Sequence, residues 1–95
     1  MPLEHMVWLT PKAGVSDDKM EEILASIRAL THIPGVLAIS AGQNITDRAN
    51  GATHGVLVTL EGPDGLPVYL NHPDHQAVGQ VLREHCDVLA LDYER

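Results

Sequence analysis

The chain has 95 residues, 44% of them hydrophobic, and its 13 acidic and 6 basic side chains give a formal net charge of −7. This length suffices for one hydrophobic core, so residues 1–95 are predicted to form a single domain. The basic side chains are scattered, whereas nucleic acids and anionic membranes bind clustered positive charge. We therefore predict no nucleic-acid partner and no membrane partner.

The cellular compartment is predicted from the cysteine count and the N-terminal segment. Cys86 is the only cysteine, so no disulfide within the chain can stabilise the fold. Residues 1–8 include Glu4 and His5 and lack the basic start and long apolar run of a signal peptide or membrane span. We therefore expect a cytoplasmic protein.

The first half of the chain predicts a strand, a helix and a second strand. Residues 3–10 alternate as a strand, and Ser16 is a predicted N-cap for the helix that follows. The segment Ile33-Pro34-Gly35 is expected to end this helix, because the residue before proline disfavours helical geometry. Residues 36–41 then form the second strand. The apolar residues of the helix recur at helical spacing: Met20, Ile23, Leu24, Ile27 and Leu30.

The second half predicts a strand, two helices and a last strand. Residues 53–61 alternate, with His54 on the same face as the apolar residues Val56, Val58 and Leu60. A turn at residues 62–65 precedes a short helix over residues 66–71. A further helix begins at Pro73, since proline is favoured in a first helical turn. Residues 88–93 alternate again as the final strand.

This β-α-β-β-α-β order predicts an α+β fold: a four-stranded antiparallel sheet with the helices on one face. The other face would be bare and apolar, and such a patch is too large for a stable soluble monomer. We therefore predict a homodimer in which two sheets pack face to face. The residues expected on the bare face are Met6, Trp8, Leu37, Ile39, Leu57, Leu89, Leu91 and Tyr93.

Several short motifs occur in a characteristic order along the chain. In this order the chain resembles the stress-responsive A/B barrel (Dabb) family, and the resemblance implies a ferredoxin-like protomer and a dimeric α/β barrel. Ala52 and Pro67 depart from the family pattern and could reshape a pocket, so the resemblance implies a class of ligand and not its identity. The motifs are His5, Ile33-Pro34-Gly35-Val36, Gly42-x-Asn44, Thr53-His54, Tyr69-Leu70-x-His72-Pro73-x-His75 and Asp92-Tyr93.

Polar side chains are predicted to converge beneath the helices. Strand alternation puts His5, His54 and Asp92 on the helix-covered face, and helical spacing puts His75 on the buried side of its helix. Leaving one buried polar group without a partner costs roughly 1–3 kcal/mol. These groups should therefore bond to one another or to a ligand in an interior pocket.

The resemblance implies roles for these residues, because some Dabb members cyclise linear polyketides without a cofactor. His75 would be the general base, Asp92 would fix its tautomer, and Tyr69 would donate a hydrogen bond to a carbonyl or enolate. His5 and His54 would line the same cavity and bind the substrate. The implied ligand is a small apolar carbonyl compound, and no cofactor is expected.

Other interpretations remain open at this point. The chain could be a non-enzymatic, stress-associated dimer in which His75 and Asp92 only close the helix onto the sheet, or a cofactor-independent monooxygenase of related barrel shape. His72 is expected to cap the helix at Pro73. His72 and His75 have a helical ligand spacing, but we predict no metal site, because the proline and the strand alternation keep imidazoles from converging. A cavity of roughly several hundred cubic ångströms would favour a ligand role.

Overall fold

The computed structural model describes residues 1–95 and has four strands and three α-helices. The strands form one antiparallel sheet in the order β2-β3-β1-β4. This arrangement is a ferredoxin-like α+β fold, as predicted. No helix has the length and hydropathy that crossing a bilayer requires. The elements are β1 Leu3–Pro11, α1 Asp17–Arg28, a 3₁₀ turn Ala29–His32, β2 Val36–Gln43, β3 His54–Leu60, α2 Gly65–Asn71, α3 Pro73–His85 and β4 Cys86–Glu94.

Helix α1 begins and ends at the local signals found in the sequence. The Ser16 side chain accepts a hydrogen bond from the Lys19 amide at 3.0 Å, which satisfies one free donor of the first turn. After Arg28 the chain tightens into the 3₁₀ turn, and Ile33 before Pro34 is extended. Gly35 has a φ of 89°, a conformation that favours glycine. The chain can therefore reverse direction and enter β2.

The core lies between the helices and one face of the sheet. Leu9, Leu24, Val58 and Leu60 are completely buried there, and Met20, Ile23 and Ile33 are nearly so. These positions have the strand and helix periodicities seen in the sequence. Aliphatic side chains, together with Met20, Tyr69 and Cys86, thus fill a core that contains no phenylalanine.

The core predicts a stability effect for Leu24→Ala. We expect this substitution to lower the free energy of unfolding by about 2–5 kcal/mol, because Leu24 is fully buried and its removal leaves a cavity. Urea denaturation followed by circular dichroism measures the change. Ile45→Ala is the matched control: Ile45 is 95% exposed, so a loss below about 0.5 kcal/mol is expected. Equal losses in both variants would contradict the assignment of Leu24 to the core.

A β-bulge in β2 changes one predicted orientation. The pairing of β2 with β3 shifts between Val36 and Ala38, so that Ile39 pairs with Val58. Ile39 therefore packs against the core beneath the helices, and its predicted place on the bare face is wrong. One extra residue reverses the side on which every later side chain of a strand projects. Leu37 lies at the bulge and remains exposed.

The face of the sheet away from the helices is apolar, and we call it the open face. The strand register places six of the eight predicted residues on it: Met6, Trp8, Leu57, Leu89, Leu91 and Tyr93. Glu4 shares this face; one of its carboxylate oxygens lies 3.5 Å from Arg95, and the other, Oε1, is buried without a hydrogen-bond partner. The exposed apolar side chains favour covering this face.

Candidate active site beneath the helices

The first element of the site is a hydrogen bond between neighbouring strands. His5 in β1 pairs in register with Asp92 in β4, so both side chains project toward the helices. His5 Nδ1 lies 2.5 Å from Asp92 Oδ1, and the His5 side chain is buried while that of Asp92 is about one-third exposed. Because a carboxylate only accepts, Nδ1 donates its proton here. The bond fixes the ring orientation of His5 and leaves its Nε2 directed away from Asp92.

Tyr69 in α2 lies between two histidine rings. Its ring centroid is 4.5 Å from that of His75 and 5.9 Å from that of His5, the latter in an edge-on arrangement. Only 2% of Tyr69 is exposed. Burial raises the pKa of its hydroxyl to about 12, so the group stays protonated at neutral pH. Tyr69 is therefore a potential hydrogen-bond donor to an oxygen bound beside it.

His75 lies in the first part of α3 with one ring nitrogen occupied. Its Nδ1 is 3.2 Å from the Leu70 carbonyl oxygen, which only accepts, so Nδ1 carries the proton. Burial lowers the pKa of His75, and the hydrogen bond to the Leu70 carbonyl only partly offsets this lowering. The imidazole is therefore neutral near pH 7, and its unprotonated Nε2 has the protonation state of a general base.

These three rings line a small cavity. His5, Tyr69 and His75 share it with aliphatic side chains from β1, β3 and the helices, among them Leu30 and Val78. Its volume is about 30 Å³, enough for about one water molecule. This volume is far below the several hundred cubic ångströms that would favour a ligand role. Branched aliphatic side chains from both layers occupy the space.

Two predicted arrangements differ from the structure. Asp92 bonds to His5, and His75 bonds to the Leu70 carbonyl, so the expected contact between His75 and Asp92 is replaced by two separate ones. His54 pairs with Leu9, bonds to Thr53 Oγ1 at 2.7 Å, and does not line the cavity. His54 projects from β3 on the face beneath the helices. The β3 residue that pairs with His5 is Val58, and it lies four residues from His54, or about 13 Å along the strand.

Two other side chains have structural roles. The His72 ring caps α3 by accepting a hydrogen bond from the Asp74 amide at 3.1 Å, as predicted. His72 and His75 thus have different partners. Burial raises the pKa of the Cys86 thiol, whose sulfur lies 3.6 Å from that of Met20, so it is no activated nucleophile.

Sequence analysis missed an ion pair between the 3₁₀ turn and α3. His32 Nε2 lies 2.8 Å from Asp74 Oδ2, and this bond raises the pKa of the imidazole. The two residues are 42 positions apart in the sequence. No spacing rule joins residues so distant, so only the fold reveals the contact.

The fold and these contacts define an α+β barrel protomer with a cavity lined by histidine and tyrosine beneath its helices. The profile of the family described as Stress responsive A/B Barrel Domain (Dabb) matches residues 3–95. The chain belongs to this family.

Known relatives include an enzyme and dimeric proteins. The chain is similar to olivetolic acid cyclase from Cannabis sativa, at 28% identity over 98% of this chain and 96% of the cyclase. A dimeric ferredoxin-like protein of unknown function from Jannaschia sp. CCS1 superposes with a TM-score of 0.87, at 27% identity over the full length of both chains. Hydroxynitrile lyase from Passiflora edulis gives a TM-score of 0.87 at 21% identity, covering 97% and 91% of the two chains, and shows the fold alone.

Proposed function

We propose that this protein is a cofactor-independent enzyme of the cyclase or lyase type that acts on a small apolar carbonyl compound. The observation on which the proposal rests is the pairing of a neutral His75 with a protonated Tyr69, ring against ring, in one cavity. A base and a hydrogen-bond donor in contact are the two groups that enolate formation requires. The similarity to olivetolic acid cyclase supports this class of reaction.

In the proposed reaction, His75 Nε2 removes a proton from the carbon next to a carbonyl group. The electron pair of the broken C–H bond moves into the enolate, and the Tyr69 hydroxyl donates a hydrogen bond to its oxygen. The enolate carbon then attacks a second carbonyl of the same molecule and forms the new C–C bond, and His75 returns the proton to the resulting alkoxide. Atoms and charge balance without any added oxidant or reductant.

Asp92 takes a different role from the one first expected. It accepts the Nδ1 proton of His5, so the other ring nitrogen of His5, Nε2, has no bond to Asp92. His5 approaches the Tyr69 ring edge-on. We assign Asp92 as a positioning residue that acts through His5, and we assign His5 to substrate binding beside Tyr69.

The small cavity sets a requirement for this function. About 30 Å³ holds no organic substrate, so α2 and α3 have to move away from the sheet when one binds. The same filled cavity favours a second candidate function: a non-enzymatic dimer in which the aromatic contacts of Tyr69 only fasten the helices to the sheet. Only the first candidate, the enzyme, would convert a carbonyl substrate to a product.

We further propose that the protein works as a homodimer joined through the open face. Leu89 and Leu91 are 65% and 62% exposed on the single chain, and Trp8 and Tyr93 add aromatic surface beside them. Burying such a patch is favourable, and a second copy offers the same apolar surface across a two-fold axis. The dimeric relative from Jannaschia supports this assembly.

The experiment that tests the function uses a short linear poly-β-keto thioester as the probe. We expect the untagged protein to convert it to a cyclised product, detected as an isomer of the same mass with a different retention time in liquid chromatography with mass spectrometry, and to exchange deuterium into the carbon between two carbonyls, detected by NMR. Tyr69→Phe should lower the rate about 10²-fold by removing the donor to the enolate oxygen. Tyr93→Phe is the matched control and should retain the rate. Absence of both cyclisation and exchange in the wild-type protein would instead support the non-enzymatic dimer.

A further inference from the structure

A cluster of metal-ligating side chains lies outside the cavity. His32 ends the 3₁₀ turn, His72 caps α3, and Asp74 lies in the first turn of that helix. One ligand atom from each of the three lies within 4.8 Å of the others. The His32 and His72 rings meet edge-on with centroids 5.7 Å apart. Two distant parts of the chain thus bring two imidazoles and a carboxylate together.

The hydrogen bonds of His32 indicate what this cluster can hold. Its Nδ1 lies 3.1 Å from the Ala29 carbonyl oxygen and must be the protonated nitrogen, since a carbonyl only accepts. Nε2 lies 2.8 Å from Asp74 Oδ2, another acceptor, so without a metal ion a proton lies between the two atoms and His32 and Asp74 form an ion pair. A metal ion bound here would replace this proton. An imidazole that donates Nδ1–H to a backbone carbonyl is oriented as metal-binding histidines are.

We propose that His32, His72 and Asp74 bind a divalent transition-metal ion, with Zn²⁺ the best fit. Two imidazole nitrogens and one carboxylate oxygen are a common zinc ligand set. The side chains of His32 and Asp74 are 54% and 58% exposed, so an ion reaches them from solvent and water completes the coordination. Tetrahedral ligands around zinc are about 3.4 Å apart, so the 2.8 Å contact between His32 and Asp74 has to widen slightly to admit the ion. His72 exchanges its hydrogen bond with the Asp74 amide for the metal.

The metal-binding cluster lies next to the walls of the cavity, so a bound ion would affect how the cavity opens. Leu30 of the 3₁₀ turn lines the cavity, and His75 follows His72 by one turn of α3. A metal ion on His32, His72 and Asp74 would cross-link two walls that have to separate when a substrate enters. We therefore expect Zn²⁺ to inhibit turnover. This consequence rests on the proposed function, whereas metal binding itself does not.

The test is a titration of ZnCl₂ into the untagged protein at pH 7.5, measured by isothermal calorimetry in a buffer that does not chelate metals. We expect one ion per chain, and we expect His32→Gln and Asp74→Asn each to weaken binding by about tenfold or more. His85→Gln is the control; His85 lies at the other end of α3 with its Nδ1 on the Val81 carbonyl, and its loss should leave the affinity unchanged.

Three results would overturn the inference or part of it. No binding by the wild-type protein, or equal binding by wild type, His32→Gln and Asp74→Asn, would refute the metal site. Circular dichroism of both variants checks that they are folded, which is expected because the substituted side chains are more than half exposed. Binding without any change in turnover of the thioester probe would refute the cross-link but leave the proposed enzymatic function intact.

Discussion

Replacing His75 with glutamine is expected to lower turnover of the poly-β-keto probe by about 10²-fold or more, because the variant lacks the proposed base. The burial of Tyr69 should be largely retained, since glutamine can fill part of the space of the imidazole. His85→Gln is the matched control on the same helix, because each histidine bonds a backbone carbonyl through Nδ1. Only the first substitution should change the rate, as measured by product formation under identical conditions.

The pH dependence of the wild-type rate separates a chemical role of His75 from a structural one. Burial lowers the pKa of His75 below its usual value of about 6.5. A base works only when unprotonated, so the rate should rise with pH through this lowered pKa and be level at neutral pH. A rate that falls over the same range, or full activity in the glutamine variant, would refute the assignment of His75 as the base.

The substitution Leu91→Arg on the open face is expected to weaken the homodimer. Leu91 is 62% exposed on the single chain, so an arginine there should alter the stability of the protomer by less than about 0.5 kcal/mol. In a dimer joined through this face the new charge is removed from water among apolar side chains, which costs roughly 3 kcal/mol or more. The dissociation constant should therefore rise by about 100-fold or more. Sedimentation velocity over a range of concentrations measures it.

Val81→Arg is the control for the assembly experiment. Val81 is also an exposed apolar residue, 38% accessible, but it lies on α3, on the helical side of the molecule. This variant should sediment as the wild-type protein does. A wild-type protein that is monomeric at micromolar concentration, or a Leu91→Arg protein that remains a stable dimer, would contradict the proposed interface.

The fold was predictable because local and long-range signals agree. The capped helix after Ser16, the glycine turn at Gly35 and the alternation of β1, β3 and β4 all favour one topology. The exception is β2, where the sequence alternation places Ile39 on the wrong face. A bulge arises from pairing with a neighbouring strand, so β2 alone contains no signal for it.

The site was predictable in composition but not in its contacts. Alternation correctly places His5 and Asp92 beneath the helices. It does not predict how far along the sheet two residues lie from each other, and the distance of His54 from the cavity was therefore not foreseen. The partner of Asp92 depends on which strands are neighbours, and β4 lies directly beside β1. The cavity volume depends on how Leu30 and Val78 pack, and residue types alone do not determine packing.

The bulge also affects how this part of the chain can tolerate changes in length. Without Leu37, Val36 and Ala38 would follow one another in a regular ladder, and the residues from Ala38 onward would keep their partners on β3. The connection between the 3₁₀ turn and the sheet can therefore lose one residue here without turning an aliphatic side chain to the wrong side. Elsewhere in a strand, deleting one residue would turn all later side chains to the opposite face of the sheet. Deleting Leu37 would not.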